Sequence, residues 1–147
     1  MVLIDTSTSL GRRAEQRLRD EMVVWLTTIS TDGRPIPVPV WFLWDGDSVL
    51  IYSRANQPKQ RYIDANPNVS LNFDSDGGAD GVGGDIVRFD GTARVDLDSS
   101  PAIEVDAYVE KYRQPIQKLG MTPETFSETY PVPIRVTPSK LRGFFVE

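Results

Sequence analysis

The sequence of 147 residues contains no cysteine and no histidine. Without cysteine there is no disulfide, no thiolate nucleophile and no sulfur ligand for a metal. Without histidine the commonest general base and the commonest metal ligand are gone as well. Hydrolysis by a Ser-His-Asp triad and zinc catalysis through imidazole are thereby excluded. Any chemistry must come from carboxylates, lysine, tyrosine, hydroxyls or a bound cofactor. No apolar run approaches the roughly 20 residues that span a bilayer, and the opening MVLIDTSTSLGRR lacks the order of a secretory signal. The expectation is a cytoplasmic protein with no membrane partner. Positive charge is the minority sign: 16 Lys and Arg stand against 21 Asp and Glu, a formal charge of −5. That balance offers no basic footprint for a phosphate backbone, so no nucleic-acid partner is expected.

What is present suits one globular domain. Apolar residues make up 39% of the chain and charged residues 25%, unlike a disordered sequence and enough for a single core. Thr8 or Ser9 caps a predicted helix through Met22, with Leu10, Ala14, Leu18 and Met22 at helical spacing and the charged face in water. Val23 to Ile29 and Pro35 to Trp44 read as strands around a Thr31-Asp32-Gly33-Arg34 turn. Ser48 to Ser53 follows Asp45-Gly46-Asp47 as the third strand of an antiparallel meander. Gln57 to Ala65 has helical character and stops at Asn66-Pro67.

Val69, Leu71 and Phe73 alternate on one face of a fourth strand. Asp74 to Gly84 is a glycine-and-aspartate loop. Its Gly77 to Gly84 stretch has no Walker lysine and no following helix, which leaves a mobile turn or a lid. Asp85 to Val95 resumes strand character with a bulge or bend at Asp90-Gly91. Ser99 to Leu119 is helical, with Ile103, Ala107, Val109 and Tyr112 as its apolar positions and Pro115 expected to kink or divide it. Thr122-Pro123-Glu124 opens another short helix. Pro133 to Thr137 reads as an edge-compatible strand and Leu141 to Val146 as a last apolar segment. Six or seven antiparallel strands with inserted helices predict an α+β, mainly β, closed or nearly closed barrel.

The order strand, Asp-Gly turn, strand, turn, strand, then LIYSRANQPKQRYIDANPNVSLNF, resembles the split-barrel flavin-binding superfamily that includes pyridoxamine phosphate oxidases. Within it the chain is most similar to the actinobacterial branch of deazaflavin-dependent reductases. The likeness runs from Glu21 to Val95, and PIRVTPSKLRGF resembles that family's closing strand. It implies a split β-barrel, FMN-binding-like, that holds coenzyme F420 or, alternatively, FMN. It also implies a homodimer with cofactor sites at the subunit seam and a small-molecule substrate. The cofactor phosphate would lie at the start of the helix after the third strand, where backbone N–H groups and the dipole favour an anion. Lys59 matches the family lysine and Ser53 the hydroxyl ending the third strand, with Arg54 and Gln57 in the intervening loop.

Val38, Pro39, Val40 and Trp41 correspond to the segment whose backbone runs beside the cofactor ring. Prolines 37 and 39 lack N–H donors, so this stretch is either a place where a ligand replaces a neighbouring strand or an edge guarded against aggregation. Lys59 and Arg61 can equally be a solvated helix face. Trp25, Trp41 and Trp44 are core residues or ring-binding ones, with Trp41 the candidate for the cleft. Three functions stay open: hydride transfer from reduced F420 to an electron-poor acceptor, an FMN-dependent oxidase, and a non-catalytic flavin-binding module. No catalytic acid is assigned, though Tyr52 is a candidate proton donor. The histidine-bearing C-terminal motif of the oxidases has no counterpart in PSKLRGFFVE.

Overall fold

The computed structural model describes residues 2–75 and 85–145. The expected Gly77 to Gly84 loop lies outside the described residues. Helix α1 (Ser9–Asp20) is capped by Thr8, whose hydroxyl accepts from the Gly11 amide at 3.0 Å. Gly11 is buried so tightly that a Cβ there would sit 1.8 Å from the Asp5 carbonyl. Ala14 and Leu18 enter the core as their spacing predicts, but the charged face is not all in water. Arg17 is only 3% exposed, and its guanidinium bonds Asp85 at 2.8 Å, Glu21 at 3.1 Å and the Asp74 carbonyl. Five donors in a fixed fork allow one arginine to satisfy three acceptors from three segments.

Strand β1 (Val24–Ile29) pairs with β2 (Pro35–Val40) in the expected hairpin, turning at Gly33 with φ of 85°. The second strand does not run on to Trp44. It stops at Val40, and Leu43–Trp44 forms a separate strand, β3, paired with β4 (Val49–Ser53). The break falls at Phe42, whose amide and carbonyl are taken by side chains instead of a strand. Nor is there a three-strand meander, because β2 and β4 do not pair. The sheet order is β2-β1-β5-β6-β7-β4-β3, with every pairing antiparallel. Its end strands are consecutive in the chain and separated by Trp41 and Phe42 alone. Three Cα steps span at most about 11 Å, so the seven strands must curl until the two edges meet. The fold is an antiparallel α+β split β-barrel.

Strand β5 (Asn68–Asn72) follows α2 (Pro58–Ala65) and buries Val69 and Leu71, with Phe73 just beyond. Strand β6 (Asp85–Val95) shifts register between Asp90 and Gly91, where a Cβ on Gly91 would meet the Thr137 carbonyl at 2.5 Å. The C-terminal strand is neither an edge nor two segments. β7 (Val132–Phe145) runs unbroken between β6 and β4. Its prolines are tolerated there because Pro133 lies past the last β6 pair, Val95 with Ile134, and Pro138 flanks the register shift.

Between β6 and β7 come a short 3-10 turn (Ala102–Glu104), α3 (Asp106–Lys118) and α4 (Pro123–Thr129). Helix α3 starts later than its sequence suggests and passes through Pro115 undivided, since that proline sits in the last turn and disturbs little beyond it. Its buried face is Tyr108, Tyr112 and Ile116, whereas Ala107 is exposed. Thr122 caps α4 in a reciprocal pair with Thr125.

Two cores result. One fills the barrel, and the other lies outside β4 under the inserted helices. All five β4 residues are buried because Val49 and Ile51 face the first core while Leu50 and Tyr52 face the second.

Candidate functional site

Strand β4 ends at Ser53 and α2 begins five residues later, with Gln57 at the N-cap and Pro58 and Lys59 opening the helix. Asn56 takes a φ of 60°, a turn that asparagine tolerates. Beside this loop is a cleft of about 310 Å³. Pro39, Val40 and Trp41 form one side, and Ser53, Arg54, Gln57 and Lys59 form the second. Tyr52, Tyr108, Leu119, Phe126 and Tyr130 close the third. Seven of the eight residues singled out in the sequence therefore share one cleft. Val38 does not line it and instead packs against the barrel core.

Lys59 is half-buried, and no carboxylate pairs with it among the described residues. Burial pulls its ammonium below the ordinary lysine value. A cation left without a counter-ion at the first turn of a helix favours an anion twice over, by its own charge and by the free N–H groups. Gln57 makes no side-chain capping bond, so its amide is free to serve a ligand. Ser53 is turned inward: its hydroxyl donates to the Arg54 carbonyl at 2.9 Å and accepts from the Gln60 amide at 3.2 Å. Gln60 also reaches the Arg54 carbonyl at 2.6 Å, so this pair braces the loop. The Arg54 guanidinium lies 5.0 Å from the Tyr130 ring centroid.

The rest of the lining is mostly aromatic. Trp41 stacks on Tyr112 at 4.7 Å and on Phe126 at 5.4 Å, and Phe126 stacks on Tyr130 at 4.6 Å. Trp41 is thus both packed and cleft-lining. Trp25 donates to Asp74 at 3.0 Å and Trp44 packs on the barrel core, and neither lines the cleft. The Tyr52 hydroxyl is committed to the Ser100 carbonyl at 2.7 Å, and burial pushes its pKa up to about 12. Tyr108 is 1% exposed with a hydroxyl that has no hydrogen-bond partner among the described residues, and burial pushes its pKa up, aided by Tyr112, Tyr52 and Tyr130. A buried phenol without a partner is costly and uncommon in folded proteins.

Sequence reasoning missed Tyr108, Leu119, Phe126 and Tyr130. The i, i+4 spacing of Tyr108 with Tyr112 and of Phe126 with Tyr130 was a visible signal of packed helix faces, but not of which cavity they line. Among the described residues no cluster of acidic groups could hold a metal. The cleft offers cations, aromatic rings and neutral phenols, which suit binding a flat ring that carries an anionic tail.

Comparison with known proteins agrees with this architecture. The family model described as pyridoxamine 5'-phosphate oxidase matches residues 10–137. Among solved structures, a putative pyridoxamine 5'-phosphate oxidase from Listeria innocua superposes with a TM-score of 0.64 at 22% identity, covering 90% of this chain and 96% of its own. An F420 reductase gives 0.64 at 21% identity, with 87% and 94% covered. A heme storage protein from Vibrio cholerae gives 0.63 at 17% identity, with 95% and 96% covered. At these identities the likeness is one of fold. No curated protein matches the sequence significantly. With the match running from the start of α1 to the middle of β7, over a barrel whose edges close beside a cationic and aromatic cleft, the chain belongs to the pyridoxamine 5'-phosphate oxidase-like family.

Proposed function

We propose that the protein is a homodimeric reductase that binds reduced coenzyme F420 and transfers hydride to a small electron-poor organic acceptor. The observation that carries this reading is Lys59: a half-buried ammonium with no carboxylate partner among the described residues, in the first turn of α2 and on the wall of an aromatic cleft. In this reading Lys59, the α2 N–H groups and Gln57 hold the phosphate, and Arg54 adds a second cation. The Pro39–Trp41 segment and the aromatic side chains confine the ring and exclude water. The deazaflavin supplies the hydride when bound. Ser53 and Gln60 keep the loop in shape, and Tyr52, already donating to Ser100, is not placed to release a proton freely. A structural relative that is an F420 reductase supports the choice of cofactor.

The second reading, FMN in the same cleft, is favoured by the family to which the chain belongs. An oxidase acting on a pyridoxamine-like substrate has less support, because the tail PSKLRGFFVE carries no histidine. Heme storage, the role of one structural relative, would here lack both histidine and cysteine as axial ligands. Titration of the protein with coenzyme F420 and with FMN, followed by tryptophan quenching, tests the proposal. Tighter binding of the deazaflavin, together with oxidation of the reduced form by a quinone acceptor, is expected. Preference for FMN moves the assignment to the second reading, and binding of neither removes both.

A further inference from the structure

The barrel closes at Trp41 and Phe42, and α3 side chains hold the backbone of that link. The Phe42 amide donates to the Tyr112 hydroxyl at 2.8 Å, and the Phe42 carbonyl accepts from the Lys111 ammonium at 2.9 Å. The Tyr112 hydroxyl lies 2.9 Å from the same carbonyl and 2.8 Å from the Met22 carbonyl, so its single proton serves one of the two. The Lys111 ammonium also lies 3.7 Å from the Phe42 ring centroid. Trp41, one residue earlier, stacks on Tyr112 with an interplanar angle of 8°. Two adjacent residues of α3 therefore satisfy both backbone polar groups at the point where the strand leaves the sheet, directly behind the cleft wall.

The arrangement is costly. Lys111 is half-buried with no carboxylate paired to it among the described residues, and burial lowers its pKa to about 8. Asp20 and Glu21 at the end of α1 pull it part of the way back. The groove beside it is lined by Met22 and, on its own helix, by Glu110, Arg113 and Lys118, with Glu110 engaged by Arg113 at 3.0 Å. From the link it meets only the Phe42 carbonyl and ring, and on its own helix it also faces the Tyr112 ring at 5.3 Å.

We propose that Lys111 and Tyr112 are positioning residues for the cleft: by holding both backbone polar groups of Phe42 they fix Trp41 and Val40 against the bound ligand, and Lys111 does so fully only while it is charged. This rests on the cleft being the ligand site. It also separates two effects that usually move together. The folded value of Lys111 lies below the ordinary lysine value of 10.5, so the unfolded chain binds more protons between about 8 and 10.5. From this group alone, stability rises with pH through that window. Over the same window the ammonium becomes an amine and the clamp loosens. Replacing Lys111 by an uncharged side chain should therefore loosen the link without lowering stability at neutral pH.

The test measures FMN affinity across the window around pH 8 together with hydrogen exchange of the Phe42 amide, in wild type, Lys111→Met and Lys111→Arg. Lys111→Met is expected to speed exchange at Phe42 but not at Leu26 or Val87, to weaken FMN roughly 3- to 10-fold at neutral pH, and to leave Tm no lower. Lys111→Arg is expected to keep neutral-pH affinity and carry it to higher pH. Phe42 exchange in Lys111→Met equal to wild type would overturn the clamp. An alkaline loss of affinity that is identical in all three proteins would overturn the positioning role, since it would trace to Lys59. Should the wild type bind neither FMN nor coenzyme F420, the reductase reading fails. The clamp is then decided by Phe42 exchange alone, upheld if it quickens in the variant and overturned if it does not.

Discussion

Lys59 carries its charge into partial burial without a carboxylate to meet it among the described residues, and the lysine is one of the residues that the family pattern picks out. Lys59→Ala is expected to weaken FMN or deazaflavin binding by about 1.5–3 kcal/mol, the range of a charge-assisted contact, with unchanged thermal unfolding; unchanged affinity would remove the lysine from the site. Because burial lowers the ammonium's pKa, binding should hold below that lowered value and fall as pH rises through it. Tyr108 makes the opposite kind of case. Its hydroxyl has no partner among the described residues, so Tyr108→Phe should leave stability equal or higher. A loss above roughly 1 kcal/mol in denaturant unfolding would mean that the hydroxyl is bonded after all. Lys59 was singled out only through the resemblance to the family pattern, since by charge and spacing alone it could be a solvated helix face. Tyr108 was not, because a helical aromatic looks the same whether it faces a core or a cleft.

Helices and strands differ in how far they can be read. The caps of α1 and α4 and the stop of α2 at Asn66-Pro67 are written within a few residues, and all three stand where their local signals put them. Strand partners are set by residues far away. The break after Val40 depends on Tyr112 and Lys111, about 70 residues on, and the central place of β7 depends on its pairing with both β6 and β4. Arg17 ties α1 to β6 in the same non-local way. Arg17→Met is expected to cost about 3 kcal/mol in urea unfolding, the usual consequence of breaking a buried pair; a cost below ~1 kcal/mol would show that Arg17 is not needed to hold Asp85.

Arg135 of β7 joins Asp45 and Asp96 at 3.0 Å each, linking the β3–β4 turn to the end of β6. Both carboxyls are held below their usual range, Asp45 by the amides of Asp47 and Ser48 and by Arg135, acting against burial, and Asp96 chiefly by Ser99 and then Arg135. Depressed carboxylates stabilise the fold above the ordinary value of 3.8 and lose that contribution as pH falls below it. Stability should therefore drop on acidification in that range, and less steeply in Arg135→Gln. Equal acid slopes would detach Arg135 from the effect.

At the scale of the molecule, the two sheet edges meet at one short link, and the cleft forms beside it. The cleft is open, and Pro35, Pro37 and Pro39 are exposed along β2, which fits completion of the site by a second copy. Sedimentation of the ligand-free protein is expected to give a dimer, in the Lys59→Ala variant as well. A monomer that still binds FMN at the wild-type affinity would remove the partner from the site. The sequence by itself determined what chemistry was excluded, the helix caps, the hairpin and the alternation of β5, since each depends on side chains a few positions apart. Only the tertiary structure decided that β2 and β3 are opposite edges of one sheet, that Arg17 is buried, and that Tyr108, Phe126 and Tyr130 wall the cleft. These are contacts between residues tens of positions apart, and such contacts leave no local pattern to read.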